Sequence, residues 1–113
     1  MTTPPFLVPA LKDLVHELVV GNYVGLEADG RAGRLTAEEL KRAITEYGRT
    51  LVEPPDEAFE TADVIPLKDK EGYWHIDLDL WTVEEGQSDL TLSLTVRATP
   101  AGVFTEIDNL HVL

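Results

Sequence analysis

Three polar residues alternate along one predicted strand and could together hold a metal ion or move a proton. His75, Asp77 and Asp79 are spaced two residues apart, which places their side chains on one face of an extended chain. Carboxylate oxygens suit Mg²⁺ or Ca²⁺, and one imidazole beside them suits Mn²⁺ or Fe²⁺. Two such carboxylates also form a general acid–base pair when a fold buries them. An open, hydrated sheet face shows the same alternation. Because nothing in the sequence buries this face, we expect no metal, no cofactor and no catalytic residue.

These residues belong to a hairpin that the alternation of apolar and polar side chains predicts over residues 73–98. Apolar side chains take the even positions on both arms, and the odd positions are polar. Glu84-Glu85-Gly86 suits a three-residue loop, because its last residue adopts a left-handed conformation that glycine tolerates. Leu80 then faces Leu90, and all the even side chains share one face. We predict that this face forms the core.

The same register determines which side chains are neighbours on the polar face of the hairpin. It places Trp81 opposite Asp89, so that a large aromatic ring lies among carboxylates. An exposed tryptophan in an acidic field is a typical anchor for a protein partner. We therefore predict an interface on this face, made either with a basic partner protein or with a second copy of the chain. The residues that would form it are His75, Asp77, Asp79, Trp81 and Asp89.

The charge of the chain narrows the choice of partner. The formal net charge is −12, and residues 51–113 hold 14 acidic and 3 basic side chains. Such a surface repels phosphate groups, so we expect no nucleic-acid binding, whereas a basic protein would be attracted to it. The same charge also serves solubility alone.

The length and the residue types indicate the class of protein. With 113 residues, the chain is long enough for one domain with its own core, and we expect residues 1–8 to be an extended lead-in. There is no cysteine, which excludes disulfides. No apolar run reaches the roughly 18 residues of a membrane span, and the N terminus lacks a signal-peptide pattern. We expect a cytoplasmic protein that does not bind membranes.

Two helices are predicted before the hairpin. Apolar residues at three- and four-residue spacing indicate a helix from about Pro9 to at least Val20, and Gly21 leaves its end open. Thr36 and Glu39 form a capping box, which begins a second helix over residues 37–47.

The remaining segments complete a two-layer α+β fold. Pro54-Pro55 forbids a regular strand, and one helical turn after it would bring Phe59 into the core. Residues 62–67 read as an edge strand and residues 103–113 as the last strand, with a bulge near Asp108-Asn109 that restores its phase. We predict two helices packed on one face of a curved antiparallel sheet of about four strands.

Part of the hairpin resembles a known signature. The similarity is to a family of small bacterial proteins of unknown function, and it rests on the run Trp74-x-Ile76-x-Leu78-x-Leu80-Trp81-Thr82-x-Glu84-Glu85-Gly86-x-Ser88-Asp89-Leu90-Thr91-Leu92. It continues into Ile107-x-x-Leu110-His111-Val112-Leu113. The order of helices and curved sheet is also similar to the NTF2-like or cystatin-like class. The first resemblance carries no catalytic residues, and the second implies a pocket between helices and sheet.

Two functions remain open from the sequence. The first is a non-enzymatic protein-interaction module, of which an immunity-like protein is one form, that binds through the acidic face around Trp81. The second is an NTF2-like pocket protein that binds or transforms a small apolar molecule. A closed cavity lined by polar side chains would favour the second function, and a solid core with Trp81 exposed would oppose it. The pocket residues would be Tyr23, Tyr47, Asn109 and His111.

Overall fold

The computed structural model describes residues 3–112, which form helices followed by a curled antiparallel sheet. The helices are α1 (Val8–Val20), α2 (Tyr23–Ala28), α3 (Ala37–Tyr47) and α4 (Asp56–Glu60). The strands are β1 (Leu51–Val52), β2 (Asp63–Pro66), β3 (Tyr73–Thr82), β4 (Gly86–Thr99) and β5 (Gly102–Val112). Met1, Thr2 and Leu113 lie outside the described residues, and with them the ends of the predicted lead-in and last strand. The predicted α+β fold is confirmed.

The N-terminal segment folds back onto the body of the protein. Pro5–Leu7 form a short 3₁₀ helix where an extended lead-in was expected. Before it, Thr3 donates hydrogen bonds from its N–H to the carbonyl of Glu60 at 3.1 Å and from its hydroxyl to that of Phe59 at 2.6 Å. These bonds tie the lead-in to the end of α4, and Phe59 lies in the core as predicted.

The first predicted helix ends at Gly21. This residue caps α1 in a left-handed conformation with φ of 79°, which glycine adopts without a side-chain clash. Asn22 then begins α2, and its side chain accepts a hydrogen bond from the N–H of Gly25 at 3.2 Å. None of the helices in residues 3–112 is long and apolar enough to cross a lipid bilayer.

The predicted capping box of α3 is confirmed. The Thr36 hydroxyl accepts from the N–H of Glu39 at 3.1 Å, and the Glu39 carboxylate accepts from the N–H of Thr36 at 3.0 Å. The helix spans Ala37–Tyr47, as the sequence predicts. These bonds satisfy two N–H groups that the first turn of a helix leaves without partners.

The hairpin of β3 and β4 keeps the predicted register over most of its length. Residues pair as expected from Tyr73 opposite Arg97 to Asp79 opposite Thr91. The loop between the strands consists of residues 83–85, so the prediction that Gly86 belongs to it is wrong. Gly86 instead begins β4 with φ of 72° and pairs with Thr82.

A bulge at Ser88 and Asp89 shifts the register near the loop. Trp81 pairs with Gln87, so the predicted pairing of Trp81 with Asp89 is wrong. The Ser88 hydroxyl donates to the carbonyl of Leu80 at 2.6 Å and holds the bulged chain against β3. Two residues of β4 thereby leave the ladder without breaking the hairpin.

The bulge predicted in the last strand is confirmed. Ser93 pairs with Asn109 and Leu94 pairs with Ile107, which leaves Asp108 as the extra residue of β5. The even apolar residues of β4 therefore face Ile107 on one side of the bulge and Leu110 on the other. This arrangement keeps both residues in the core.

The edge of the sheet beside β3 is shared by two short strands. Val52 of β1 pairs with Trp81, and Asp63 of β2 pairs with Asp77. Residues 53–62 leave the sheet between these pairs, because Pro54 and Pro55 have no N–H for a ladder. We call the stretch of β3 from Leu78 to Leu80, which has no paired strand on this side in the described chain, the interrupted edge.

The helices cover the apolar face of the sheet. The core combines fully buried leucines of α1, α2 and α3 with the even side chains of β3 and β4. Each such leucine contributes about 1.5–3 kcal/mol when it is removed from water. The polar face of the sheet lies on the other side, and its side chains form the candidate site.

Candidate functional site

Asp79 is held in place on the polar face by two neutral donors. The Thr91 hydroxyl donates to Oδ1 of Asp79 at 2.9 Å, and the Gln87 amide donates to Oδ2 at 2.8 Å. Thr91 is only 2% exposed and pairs with His111 of β5 on its other side. The carboxylate is therefore fixed in position while its negative charge is not neutralised.

Asp77 and His75 form the next part of the polar face. The Ser93 hydroxyl donates to Oδ1 of Asp77 at 2.5 Å, and Nε2 of His75 lies 3.3 Å from the same oxygen. The Nδ1 atom of His75 lies 3.7 Å from Asp108, whose carboxylate also accepts from the Thr95 hydroxyl at 2.7 Å. The bulge in β5 thus brings the carboxylate of Asp108 within reach of His75.

Strand β2 adds another acidic residue to this surface. Asp63 of β2 lies directly opposite Asp77 of β3, and like charges at opposed positions repel each other. Within residues 3–112, neither a lysine nor an arginine forms an ion pair with Asp63, Asp77 or Asp79. These three carboxylates therefore lie together without a cationic partner, while Arg97, further along the same face opposite Tyr73, lies over the ring of Phe104.

A cavity of about 500 Å³ lies between this face and the chain that leaves the interrupted edge. Four of its lining residues are carboxylic acids (Glu57, Asp63, Asp77 and Asp79), and none is a lysine or arginine. The remaining lining residues are Pro55, Ala58, Thr61, Ala62, Leu78, Trp81, Gln87, Thr91 and His111. We call this cavity the acidic groove.

Trp81 lies at the end of the acidic groove nearest the hairpin loop. It pairs with Val52 on one side and Gln87 on the other, and it remains partly exposed. Its ring packs against Gly86, where a Cβ atom would lie 3.7 Å from Cζ3 of the indole. The main chain at Gly86 thereby packs against the ring.

The predicted interface residues divide into two groups. Asp77, Asp79 and Trp81 line the acidic groove, and His75 contacts Asp77 beside it. Asp89 does not line the groove. The structure therefore brings four of the five residues together.

The four residues expected in an alternative pocket do not line one cavity. Tyr23 packs against the core, and burial raises the pKa of its hydroxyl. The Tyr47 hydroxyl accepts from the N–H of Asp89 at 3.2 Å, and Asn109 is exposed. His111 lines the acidic groove instead, where its Nδ1 atom is buried without a hydrogen-bond partner.

Several groove residues were not predicted from the sequence. Glu57 comes from α4, Asp63 comes from β2, and Gln87 and Thr91 come from β4. The polar phase of β4 marks Thr91 as a member of this face, whereas the place of Glu57 depends on the path of residues 53–62. Within residues 3–112, no group of three or more histidine and acidic side chains has the geometry to hold a metal ion.

Comparison with known proteins identifies a family without an assigned activity. Residues 15–113 match a family described as a domain of unknown function, DUF7668. Neither the curated proteins nor the solved structures include a match to the chain. The NTF2-like or cystatin-like resemblance, the bacterial origin and the cytoplasmic location therefore stay predictions.

Proposed function

From the premise that this chain belongs to the DUF7668 family, we propose that it is a non-enzymatic interaction module. Its partner is a basic protein, which it binds through the acidic groove and the polar sheet face. The observation that carries this proposal is that four carboxylic acids line the groove together with no lysine or arginine. Cationic side chains of a partner would balance the negative charge of the groove and speed the association of the two proteins.

The fixed geometry of the carboxylates supports binding rather than mere solubility. Asp79 receives two hydrogen bonds and Asp77 receives one from uncharged side chains of β4. A group that is already ordered loses little conformational entropy when a ligand binds it. Acidic side chains that serve only solubility need no such support.

Trp81 adds an apolar contact to the charged surface. Its ring is partly exposed at the end of the groove and close to Asp79, two residues away on the same face. A cation placed over an indole ring gains about 0.5–2 kcal/mol, depending on how far it is desolvated. Arginine and lysine side chains of a partner would use both the ring and the carboxylates.

The alternatives receive less support from the geometry. Self-association through this face would bring Asp63, Asp77 and Asp79 of two copies together, and such like-charge contacts cost several kcal/mol. A pocket for a small apolar molecule would require Tyr23, Tyr47, Asn109 and His111 around one cavity, and these residues lie apart. A separate basic partner is therefore the function that we favour.

A capture experiment with matched charge variants tests this proposal. The test variant is Asp77→Asn with Asp79→Asn, which keeps the side-chain shape, and Asn can still accept the bonds from Ser93 and Thr91. The control variant is Glu46→Gln with Asp69→Asn, which removes the same charge from exposed positions outside the groove. Each protein is immobilised, and proteins captured from a lysate of the source organism are quantified by mass spectrometry.

We expect basic proteins to be enriched on the wild type and on the control variant, and to be lost from the test variant. With one purified partner, the test variant should bind about 10- to 100-fold more weakly, since hydrogen bonds to charged groups contribute about 1.5–3 kcal/mol. Equal capture by all three proteins, or capture without any basic protein, would contradict the proposal. Circular dichroism establishes that the variants are folded.

A further inference from the structure

The main chain of β3 presents unpaired groups at the interrupted edge. The carbonyl of Leu80 accepts from the Ser88 hydroxyl on the side of β4, whereas the N–H of Val83 donates to the carbonyl of Thr50 on the other side. Successive residues of an antiparallel strand direct their N–H and C=O groups to opposite edges. The N–H and C=O of Asp79 therefore point toward the interrupted edge.

No strand of the described chain meets Asp79 at this edge. The pairing of β1 ends at Val52 opposite Trp81, and the pairing of β2 begins at Asp63 opposite Asp77. No main-chain hydrogen bond joins Asp79 to residues 53–62. A free pair of main-chain groups in an otherwise complete edge is a template for another extended chain.

The acidic groove occupies the place of the missing strand. Pro55, Ala58 and Thr61 line it on the outer side, and Asp77 to Asp79 line it on the inner side. From Asp77 to Trp81 there are four residue steps, which span about 13 Å at roughly 3.3 Å per residue. The gap therefore has room for about three residues in extended conformation.

We infer that a short extended segment of the partner completes the interrupted edge by pairing its main chain with Asp79. This inference rests on the proposed function and defines the binding mode of the same site. The residue paired with Asp79 would direct its side chain to the polar face, because opposed residues share a face. There it would lie beside the carboxylates of Asp77 and Asp79 and near the ring of Trp81.

Charge complementarity selects the chemistry of this segment. An arginine at the central position offers several N–H donors to the two carboxylates and stacks on an aromatic ring, which suits it better than lysine. The two flanking residues would point to the apolar face, where Leu78 and Leu80 are already fully packed. Flanking alanine or glycine fits this restriction. The segment of the partner therefore has an arginine between two small residues.

Two synthetic peptides separate main-chain pairing from charge. The first is acetyl-Ala-Arg-Ala-amide, whose three residues match the length of the gap, and the second is the same peptide with a methyl group on the main-chain nitrogen of its arginine. Both peptides carry the same charge, but the second lacks the N–H that would bind the Asp79 carbonyl. We expect the first peptide to shift the Asp79 amide resonance and to slow its hydrogen exchange at least tenfold. The second peptide should bind at least about tenfold more weakly.

A protein variant checks the position of the peptide. Ala58→Trp fills the groove without a change in charge, and Ala101→Trp places the same side chain on an exposed turn as a control. Ala58→Trp should lose the first peptide, and Ala101→Trp should bind it as the wild type does. The peptide pair requires no variant and remains decisive if Ala58→Trp does not fold.

The possible outcomes distinguish this inference from the proposed function. Equal binding of both peptides with an unchanged Asp79 amide overturns the strand pairing, and so does a failure of the first peptide to perturb the groove. A captured partner that Ala58→Trp retains and the Asp77→Asn, Asp79→Asn variant loses overturns only the inference. If the Asp77→Asn, Asp79→Asn variant retains every basic partner, the proposed function itself is contradicted.

Discussion

The hydroxyl of Tyr47 accepts a hydrogen bond of 3.2 Å from the main-chain N–H of Asp89, 42 positions further along the chain. The same hydroxyl donates to Glu85 at 2.7 Å. The bulge at Ser88 and Asp89 withdraws this N–H from the ladder, and α3 supplies the acceptor that it needs. One side chain of the helical layer thereby stabilises the register shift that sets the position of Trp81 beside Gln87.

Removal of this hydroxyl should destabilise the protein. We expect Tyr47→Phe to lower the free energy of unfolding by about 1–2 kcal/mol, because the N–H of Asp89 and the carboxylate of Glu85 lose a partner. Urea denaturation measures the loss. Tyr73→Phe serves as the control, since the Tyr73 hydroxyl takes part in no hydrogen bond within residues 3–112. Equal effects of the two variants would show that the Tyr47 contact does not stabilise the bulge.

The capping box of α3 gives a second prediction. Thr36→Ala removes the hydroxyl that accepts from Glu39 and should cost about 1 kcal/mol of stability. Thr45→Ala in the same helix is the matched control, because Thr45 is exposed and alanine favours a helix interior. We therefore expect Thr45→Ala to be neutral or slightly stabilising in urea denaturation. A loss of similar size in both variants would contradict a specific role of the cap.

Substitution of two glycines in one turn distinguishes the cost of backbone strain from the cost of a close contact. Gly30 and Gly33 both have positive φ, of 84° and 62°, but a Cβ atom on Gly33 would overlap the main-chain oxygen of Ile107, while one on Gly30 meets nothing within 4 Å. Gly30→Ala should cost about 1 kcal/mol, and Gly33→Ala should cost at least about 1 kcal/mol more, because β5 must move. Thermal unfolding followed by circular dichroism compares them. Equal melting temperatures would exclude the close contact.

An ion pair of α1 makes stability depend on pH. His16 and Glu53 are joined by a 2.6 Å hydrogen bond, which raises the pKa of His16 above its usual 6.5, and the charges of Glu53, Glu17 and Asp13 act in the same direction. A raised folded-state pKa contributes stability that is complete below the unfolded-state pKa and is lost as pH rises through the folded-state pKa.

The variant His16→Gln should therefore lose the part of the pH dependence that His16 causes. Between about pH 6 and pH 8, the urea midpoint of the wild type should fall more than that of the variant. Glu53→Gln, which removes the partner, should flatten the curve in the same way. A curve for His16→Gln that runs parallel to the wild type would exclude His16 as the source.

Local signals explain which parts of the fold could be predicted from the sequence. Helix α3 is predicted to the residue because Thr36, Glu39 and Gly48 mark its ends within the segment itself. The core face of the hairpin could be predicted because aliphatic side chains occupy only the even positions of both strands. The predicted register fails beyond Asp79, because the bulge at Ser88 and Asp89 depends on a contact with a distant helix.

The candidate site depends more strongly on distant parts of the chain. The alternation identifies Asp77, Asp79 and Trp81 as neighbours, and the structure keeps them together. The prolines at positions 54 and 55 indicate that pairing stops, but they do not indicate that the chain returns to the same edge. The opposition of Asp63 and Asp77, and with it the groove, could therefore not be derived from local patterns.

The interrupted edge separates the segment that shapes the groove from the segments that hold the sheet together. Val52 and Asp63 are each anchored by their own pairing with β3, so the groove-lining positions between them, such as Glu57 and Ala58, can change in type and number without moving either strand, while Phe59 stays in the core. A doubling of loop length costs only about 0.6 kcal/mol in closure entropy. Relatives with the same scaffold can thus carry groove walls of different size and chemistry on an unchanged sheet.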